Sequence, residues 1–501
     1  PPLPGIEISQ VTADSRAIRP GGLFVAIQGG TVDGHRYIPD AVGQGAAAIV
    51  GSLPPATYAG RAVPYIQVHD TRQALATLAG AFYGFPSRKL RLVGVTGTDG
   101  KTTTTSLIYQ VLLTAGLIPG MVSTVGARIA AAELDTGFHV TTPDAPDVQR
   151  YLALMVQEGC QTVVLEATSH GLHQGRVAAC DFDVAVVTNV THEHLDYHRT
   201  WDAYLDAKAI LFQSLATSRR KAGQAKVAVL NADDGSYSRL AAIPADLHLS
   251  YGLHAERADL RAEQLVYLPD RTVFVAQTPA GTVPVETRLL GEFNVYNCLA
   301  ALGTGLALDL PLEVIAAGLA GLAGVDGRME RIERGQDFLA IVDFAHTPGS
   351  LARALEAVRP MTSGRVIAVF GSAGLRDVQK RGLMAETSVG LADYTILTAE
   401  DPRTESLDAI LDQMAAGARR AGGRPGRDFE LVADRTAAIT RAVELAEAGD
   451  VVIVCGKGHE RSMCFGTVEH PWRDQAVVAW AIEQRQGRTS EAPPYRLPTS
   501  G

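Results

Sequence analysis

Short apolar runs alternate with longer segments of helical periodicity through most of this sequence. In its middle part the apolar runs predict strands at 92–95, 162–165, 184–187 and 227–230. Strands that alternate with helices over such a length predict a mostly parallel sheet with helices on both faces. Ligands of such a sheet bind beyond the carboxyl ends of its strands.

The same alternation returns in the last part of the chain and predicts a second α/β domain. Its predicted strands are 339–342, 366–370, 394–397 and 451–454, and its predicted helices are 350–358, 407–421 and 435–447. A smaller unit before the central part has predicted strands at 46–50 and 65–68 and a predicted helix at 71–83. From Gln486 onward the chain is polar and rich in proline, which predicts disorder.

We therefore predict an α/β protein of three domains. They are a small α/β N-terminal domain (1–89), a central P-loop-type domain with a mostly parallel sheet (90–325), and a C-terminal Rossmann-like α/β domain (326–501). A chain of 501 residues is too long for one hydrophobic core, which agrees with this division.

Charge and cysteine content narrow the functional class. The formal net charge of −9 argues against nucleic acid as a partner. No apolar run is long enough to span a bilayer, so membrane insertion is not expected. The five cysteines are scattered and odd in number, which is typical of reduced thiols in a cytoplasm and not of a disulfide framework or a zinc site. We expect a cytoplasmic, monomeric enzyme.

A glycine-rich turn follows the predicted strand 92–95 and leads into a predicted helix. It reads Gly97-Thr-Asp-Gly-Lys-Thr-Thr103, a shortened phosphate-binding loop, because the usual first glycine would stand at Val95. Backbone N–H groups and the positive end of the helix dipole face the anion in such a turn. Lys101 can reach terminal phosphates, and the Thr102 hydroxyl can bind Mg²⁺. The less specific alternative is a turn that only enters a helix.

Two further strands end in groups that a magnesium–nucleotide site needs. Glu166 follows the strand 162–165, and a cluster from His192 to His198 follows the strand 184–187. The histidine spacing has no recognised zinc pattern, whereas oxygen ligands with one imidazole suit Mg²⁺ or Mn²⁺. A solvated polar loop is the alternative for the cluster.

Together these motifs resemble those of the Mur ligases, ATP-dependent enzymes that form amide bonds in cell-wall precursor synthesis. The resemblance is strongest to members that add the third amino acid to UDP-N-acetylmuramoyl-L-alanyl-D-glutamate. It covers nearly the whole chain, in family order, through Asp14–Arg16 with Val32–Gly34, Thr96–Thr102, Thr141–Asp144, Glu166–His170 through Gln174–Arg176, Glu193–His198, Gly291–Asn297, Gly327–Glu330, Val342–Pro348 and Gly456–Glu460.

The resemblance implies a catalytic set of Lys101, Glu166, His194 and Lys208. Lys101 would bind the β- and γ-phosphates of ATP, Thr102 a first Mg²⁺, and Glu166 with His194 a second Mg²⁺. Lys208 corresponds to a lysine that is carbamylated in the family, although its position alone predicts an exposed helix lysine. The other implied ATP-side residues are Gly97, Thr98, Asp99 (where asparagine is common), Gly100, Thr103, Asn294 and Asn297 near adenine, and Arg328 and Asp343 near phosphate and ribose.

The same resemblance implies two substrates besides ATP. The implied contacts to the UDP-linked muramoyl dipeptide are Ser15, Thr141, Thr142, Ser169, Gln174 and Arg176. The implied contacts to the incoming diamino acid are Arg376, Asp401, Arg403, Gly456 and Glu460.

The identity of the diamino acid depends on a short loop. In the family an Asp-Asn-Pro-Arg loop marks enzymes that use meso-2,6-diaminopimelate, and this chain has Glu400-Asp-Pro-Arg403. Arg403 and Arg376 favour a side chain that carries a carboxylate, as diaminopimelate does. The acid Asp401 favours the purely cationic lysine or ornithine. We predict diaminopimelate, with lysine or ornithine as alternatives.

Two other functions stay open from the sequence. One is another ligase of the same fold, such as the D-alanyl-D-alanine-adding enzyme or a folate polyglutamate ligase. The other is a catalytically silent protein that binds UDP precursors. The segments Gly456–Glu460 and Thr141–Pro143 favour the third-residue ligase over the former. The intact catalytic set argues against the latter.

Overall fold

The predicted alternation of strands and helices is present in the structure, a computed structural model of the chain. It describes residues 5–29, 32–55, 63–129, 132–134, 141–191, 195–268 and 270–499. The described residues fall into two compact units: the first comprises Pro1–Gln264, Phe274–Val285 and Tyr296–Gly321, and the second comprises Leu265–Val273, Glu286–Val295 and Leu322–Gly501. Within the described ranges, no helix is both long and apolar enough to cross a membrane.

The amphipathic and buried helical segments of the sequence form the α-helices. These are α1 (Ile38–Gly43), α2 (Thr71–Phe82), α3 (Lys101–Thr114), α4 (Ala145–Gln157), α5 (Ser169–His173), α6 (Leu195–His198), α7 (Trp201–Thr217), α8 (Tyr237–Ala241), α9 (Glu292–Ala307), α10 (Leu312–Gly321), α11 (Pro348–Val358), α12 (Gln379–Leu391), α13 (Leu407–Arg420), α14 (Arg435–Leu445) and α15 (Asp474–Arg485). Short 3₁₀ helices include Gly34–Tyr37, Pro86–Lys89 and Arg359–Met361.

The apolar runs form the strands. These are β1 (Gln10–Thr12), β2 (Gly22–Val25), β3 (Ala48–Gly51), β4 (Tyr65–Gln67), β5 (Arg91–Thr96), β6 (Pro119–Ser123), β7 (Gly126–Ile129), β8 (Ala132–Leu134), β9 (Thr162–Glu166), β10 (Val184–Val187), β11 (Val227–Asn231), β12 (Leu247–Gly252), β13 (Leu260–Tyr267), β14 (Thr272–Thr278), β15 (Gly281–Thr287), β16 (Glu330–Arg331), β17 (Leu339–Asp343), β18 (Val366–Phe370), β19 (Tyr394–Leu397), β20 (Phe429–Leu431), β21 (Val451–Cys455), β22 (Ser462–Phe465) and β23 (Val468–Pro471).

The N-terminal sheet is small and parallel, with the strand order β1-β2-β3-β4. Helix α2 covers one face, and its Leu75 and Ala79 pack against Val25 and Val50 of the sheet. Asp70 is the N-cap of α2, and its carboxylate accepts hydrogen bonds from the N–H groups of Arg72 and Gln73.

The central sheet has the strand order β15-β14-β13-β12-β11-β10-β5-β9-β6-β7-β8. Its middle strands are parallel, and Val95 of β5 lies opposite Glu166 of β9 and Val186 of β10. Both faces of these strands are buried, which explains their continuous apolar runs. Because β5, β9 and β10 end in register, the residues that follow them lie at one edge of the sheet.

The C-terminal sheet has the order β16-β17-β21-β18-β19-β20, and all neighbours except the pair β16–β17 are parallel. Asp343 of β17 lies opposite Cys455 of β21, and Phe370 of β18 lies opposite Leu397 of β19. The turns after these strands therefore also share one edge. The fold is the predicted mostly parallel α/β fold.

The prediction of a disordered tail is wrong for the residues up to 499. Leu497 is buried in the core beside Trp472 and Ile482, and the Thr499 hydroxyl donates to Asp434 Oδ2 over 3.0 Å. Two apolar side chains, Tyr495 and Leu497, anchor a segment whose average composition is polar. The predicted domain limits stay a prediction, because residues 1–89 belong to the same compact unit as most of the central sheet.

Candidate active site

The predicted phosphate loop lies between β5 and α3, at the edge where the central strands end. Gly100 is the N-cap of α3 and has a φ of 80°. The loop is anchored to the end of β10 because Thr98 N donates to Asn189 O and Asp99 N donates to Asn189 Oδ1, over 2.7 and 3.0 Å. Lys101 Nζ donates to Thr98 O over 2.7 Å. The ammonium group therefore lies at the turn that leads into α3, where the positive end of the helix dipole attracts an anion.

Gly100 has a φ of 80°, and a Cβ added there would overlap Asn297 Oδ1, so the Asn297 side chain would have to shift. We expect Gly100→Ala to raise the KM for ATP at least about tenfold and to lower the free energy of unfolding by about 1–3 kcal/mol. The matched control is Gly116→Ala at the other end of α3, where φ is 74° and no atom lies within 4 Å of the added Cβ. Steady-state kinetics and denaturant titration of both variants test this. An equal rise of the KM in both would contradict the role assigned to Gly100.

Hydroxyl groups surround the carboxylate of Glu166, which is 1% exposed at the end of β9. Thr102 Oγ1 lies 3.1 Å from Glu166 Oε2, and Thr124 Oγ1 lies 3.0 Å from the same oxygen. The Thr124 N–H donates to that oxygen over 3.1 Å, and Thr141 Oγ1 lies 3.0 Å from Thr124 Oγ1. Thr124 was not among the residues predicted from the sequence. The one indication of its role was the position of a hydroxyl residue directly after the apolar strand β6. Hard oxygen donors of this kind fit Mg²⁺.

The structure describes two of the three residues that were predicted to bind metal ions. Thr102 and Glu166 are brought together, whereas His194 lies outside the described residues. Of the same histidine cluster, His198 is buried, and its Nε2 lies 3.1 Å from Ser169 Oγ. Among the described residues, no three side chains of His, Cys, Asp or Glu converge as a metal site.

Of the residues predicted to bind the UDP precursor, the structure joins Thr142, Gln174 and Arg176 by hydrogen bonds, and Ser15 is not among the residues joined in this way. Arg176 Nη1 donates to Thr142 O over 2.6 Å, and Arg176 Nη2 donates to Gln174 Oε1 over 2.8 Å. The Thr142 hydroxyl donates to Glu166 O over 3.0 Å, which joins this cluster to the end of β9. Ser169 begins α5 and is buried. Ser15 is buried in the turn between β1 and β2.

Lys208 on α7 is 1% exposed, so the prediction of an exposed helix lysine is wrong. Its Nζ donates to Gly97 O over 2.6 Å and lies 4.2 Å from the centre of the Tyr204 ring. The neighbouring Ala207 and Ala209 are buried as well, because α7 packs closely in the core of the first unit. The structure thus brings Lys208 to the first glycine of the phosphate loop.

Helix α9 carries both asparagines predicted to lie near adenine. Asn297 is buried and accepts a hydrogen bond from Thr104 Oγ1 of α3 over 3.1 Å, so it borders the phosphate loop. Asn294 lies one turn earlier, and its side-chain amide donates to Leu290 O over 2.7 Å.

The second unit brings the predicted nucleotide residues Arg328 and Asp343 close together. The Arg328 guanidinium lies over the Phe344 ring at 4.6 Å. The Asp343 carboxylate accepts from the N–H groups of Met329 and Ala345, each over 2.7 Å. The carboxylate therefore fixes the turn that carries Arg328.

The predicted amino-acid residues lie on turns after β18, β19 and β21. Asp401 and Arg403 have φ angles of 39° and 55°, and the Arg403 N–H donates to Cys464 O over 3.0 Å. Arg403 Nε is buried and has no hydrogen-bond partner among the described residues. Arg376 is exposed on the turn after β18. The guanidinium of Arg403 is a group that can pair with a carboxylate of a ligand.

The turn after β21 packs directly against Glu400. Gly456 has a φ of 108°, and a Cβ there would overlap Glu400 Oε2, so a larger residue would be strained and would displace that carboxylate. Burial raises the pKa of the Glu400 carboxyl. Burial, and then the cations Arg328 and Lys457, lower the pKa of His459 to about 3, so the imidazole is neutral at pH 7.

Comparison with known proteins places the whole chain in one family. Residues 7–83 match the model "Mur ligase family, catalytic domain", residues 95–305 match "Mur ligase middle domain", and residues 327–458 match "Mur ligase, glutamate ligase domain". The chain belongs to the Mur ligase family.

Relatives of this Mur ligase are similar to it in sequence over nearly the full length of both chains. It is 46% identical to a UDP-N-acetylmuramyl-tripeptide synthetase of Roseiflexus sp. strain RS-1, over 95% of each chain. It is 43% identical to a UDP-N-acetylmuramoyl-L-alanyl-D-glutamate–2,6-diaminopimelate ligase of Geobacillus thermodenitrificans strain NG80-2, over 96% of each. A solved structure with the latter protein name aligns with a TM-score of 0.67 and 31% identity, over 96% of this chain and 95% of that one.

Proposed function

We propose that this Mur ligase is an ATP-dependent enzyme that joins meso-2,6-diaminopimelate to UDP-N-acetylmuramoyl-L-alanyl-D-glutamate. The observation that carries the proposal is the arrangement of Lys101, Thr102 and Glu166 at the phosphate loop. The protein names of full-length relatives support it.

We also propose three domains, 1–89, 90–325 and 326–501, since each encloses one of the family matches. We propose a cytoplasmic location as well.

The chemistry requires a carboxylate to become an acyl donor. The D-glutamyl carboxylate attacks the γ-phosphorus of ATP, ADP leaves, and an acyl phosphate forms. The amine of diaminopimelate then attacks the acyl carbon, and phosphate leaves. Carboxylate and γ-phosphate are both anionic, so their approach requires positive charge. Lys101 is the group that supplies it within the loop.

Thr102 is proposed to hold a first Mg²⁺, and Glu166 with His194 a second. When bound, Mg²⁺ offsets phosphate charge during transfer. Lys208 is proposed to be carbamylated, which would replace a buried cation next to Gly97 by an anionic oxygen group. Thr141, Thr142, Ser169, Gln174 and Arg176 are proposed to hold the muramoyl dipeptide, and Ser15 the uridine end.

The choice of amino acid is proposed from Arg403, whose buried Nε has no partner among the described residues. We expect the purified chain with ATP and the UDP-linked dipeptide to use meso-2,6-diaminopimelate at least about tenfold more efficiently than L-lysine or L-ornithine, because only diaminopimelate carries a distal carboxylate. The measurement is kcat/KM for each amino acid from phosphate release, with the product mass as a check.

Each other outcome of this panel has a distinct meaning. Faster turnover of L-lysine or L-ornithine would keep the ligase reaction and overturn the amino acid. Two further mixtures belong to the test: D-alanyl-D-alanine with the UDP-linked tripeptide, and a folate with glutamate. Phosphate release from either of them, and not from the panel, would point to another ligase of this fold. Binding of the UDP-linked dipeptide without phosphate release from any mixture would leave only a precursor-binding protein.

A further inference from the structure

Lys457 lies between two residues that are assigned to the amino acid. Its Nζ donates to Asp401 Oδ1 over 2.9 Å and forms an ion pair with Glu460 Oε2 at 2.5 Å, and its side chain is 2% exposed. Burial by itself lowers the pKa of Lys457, but the carboxylates of Glu460 and Asp401 outweigh this effect and raise it. Lys457 therefore carries its charge at neutral pH.

The same contact fixes the Asp401 side chain. Asp401 Oδ1 also accepts a hydrogen bond from Cys464 N over 2.9 Å, so this oxygen is held by two donors. The carboxylate faces a resident cation and a backbone N–H, and its charge is compensated within the protein. An acid at position 401 then does not act as a free anion toward a cationic substrate.

The ammonium group of Lys457 changes which groups of a ligand the loop after β19 can bind. The carboxylates of Asp401 and Glu460 are the natural partners of a distal ammonium, and Lys457 already contacts both. The guanidinium of Arg403 belongs to the same loop and keeps an unsatisfied donor. A side chain that carries a carboxylate gains from this arrangement, and a side chain that carries only an ammonium does not.

We propose that Lys457 is a specificity-determining residue: it compensates Asp401, so that the loop presents Arg403 and discriminates against amino acids with a purely cationic side chain. This inference rests on the proposed ligase function. It explains how Glu400-Asp-Pro-Arg403 can serve a carboxylate-bearing substrate although it contains one more acid than the Asp-Asn-Pro-Arg loop.

The test measures the ratio of kcat/KM for meso-2,6-diaminopimelate to kcat/KM for L-lysine in the full chain. We expect Lys457→Met to lower this ratio about tenfold or more, through a lower KM for lysine and a higher KM for diaminopimelate, because Asp401 becomes an uncompensated anion. The double variant Asp401→Asn/Lys457→Met should not show the lower KM for lysine that is expected of the single variant. Asp401→Asn alone should keep or raise the ratio.

Lys226→Met is the matched control, since Lys226 is equally buried in an ion pair with Asp183 in the first unit. It should lower thermal stability without moving the ratio. A ratio in Lys457→Met within about threefold of the wild type, or a double variant that behaves like the single one, overturns the role of Lys457. If Lys457→Met does not fold, a lower ratio in Asp401→Asn overturns it equally. A wild-type chain that uses neither amino acid refutes the ligase function instead.

Discussion

Glu166→Gln is expected to lower kcat for phosphate release by on the order of 10³, with the fold unchanged. The substitution removes one negative charge from a buried group but keeps its shape and an oxygen that can accept from Thr124 N. A loss of this size corresponds to about 4 kcal/mol of transition-state stabilisation, which is the scale of a lost metal ligand in a phosphoryl-transfer site. The measurement is kcat at saturating substrates over a titration of Mg²⁺.

The Mg²⁺ titration separates a metal role from a structural one. If Glu166 binds the metal, the variant should need a higher Mg²⁺ concentration for half-maximal activity, while its thermal midpoint stays near that of the wild type. The control Glu158→Gln changes an exposed carboxylate after α4 and should alter neither quantity. A Glu166→Gln variant with at least a tenth of the wild-type kcat would refute the assignment.

Lys208→Ala is expected to lower kcat by about 10² to 10³, because it removes a charged group that contacts Gly97 of the phosphate loop. Carbamylation adds a second expectation. Wild-type activity should fall when dissolved CO₂ and bicarbonate are removed and should return when bicarbonate is added, whereas the residual activity of the variant should not respond.

Lys226→Ala controls for the loss of a buried lysine in the same unit, since its ammonium contacts Asp183 and backbone carbonyls far from the loop. This control should lose stability but keep its kcat. Full activity of Lys208→Ala would refute any role of Lys208 in the reaction. A wild-type activity that ignores bicarbonate would refute the carbamate and leave Lys208 as a cation that holds Gly97.

Strands and helices that depend on the local order of apolar and polar residues could be predicted from the sequence. The runs at β10, β18 and β19 have the predicted limits because strands buried on both faces are continuous apolar segments between turns. The same topology placed Glu166 at a strand end beside the phosphate loop. Parallel strands that end in register bring such residues together wherever they stand in the chain.

Contacts between distant segments could not be predicted in this way. Lys208 meets Gly97 across 111 residues, and Lys457 meets Asp401 across 56. Periodicity reports which side of a helix is apolar, but it does not report which carbonyl or carboxylate lies opposite a particular lysine. The partner of Glu166 after β6, Thr124, was missed for the same reason.

The left-handed backbone at Asp401 limits how substrate preference can be retuned by engineering. Short side chains such as aspartate and asparagine adopt this conformation with little strain, whereas β-branched ones adopt it at a cost. Aspartate and asparagine also have the same shape, so a change between them at position 401 alters the charge of the loop after β19 while the loop stays in place. Variants designed to accept new amino acids should therefore exchange charge at 401 and 457 and vary side-chain size elsewhere.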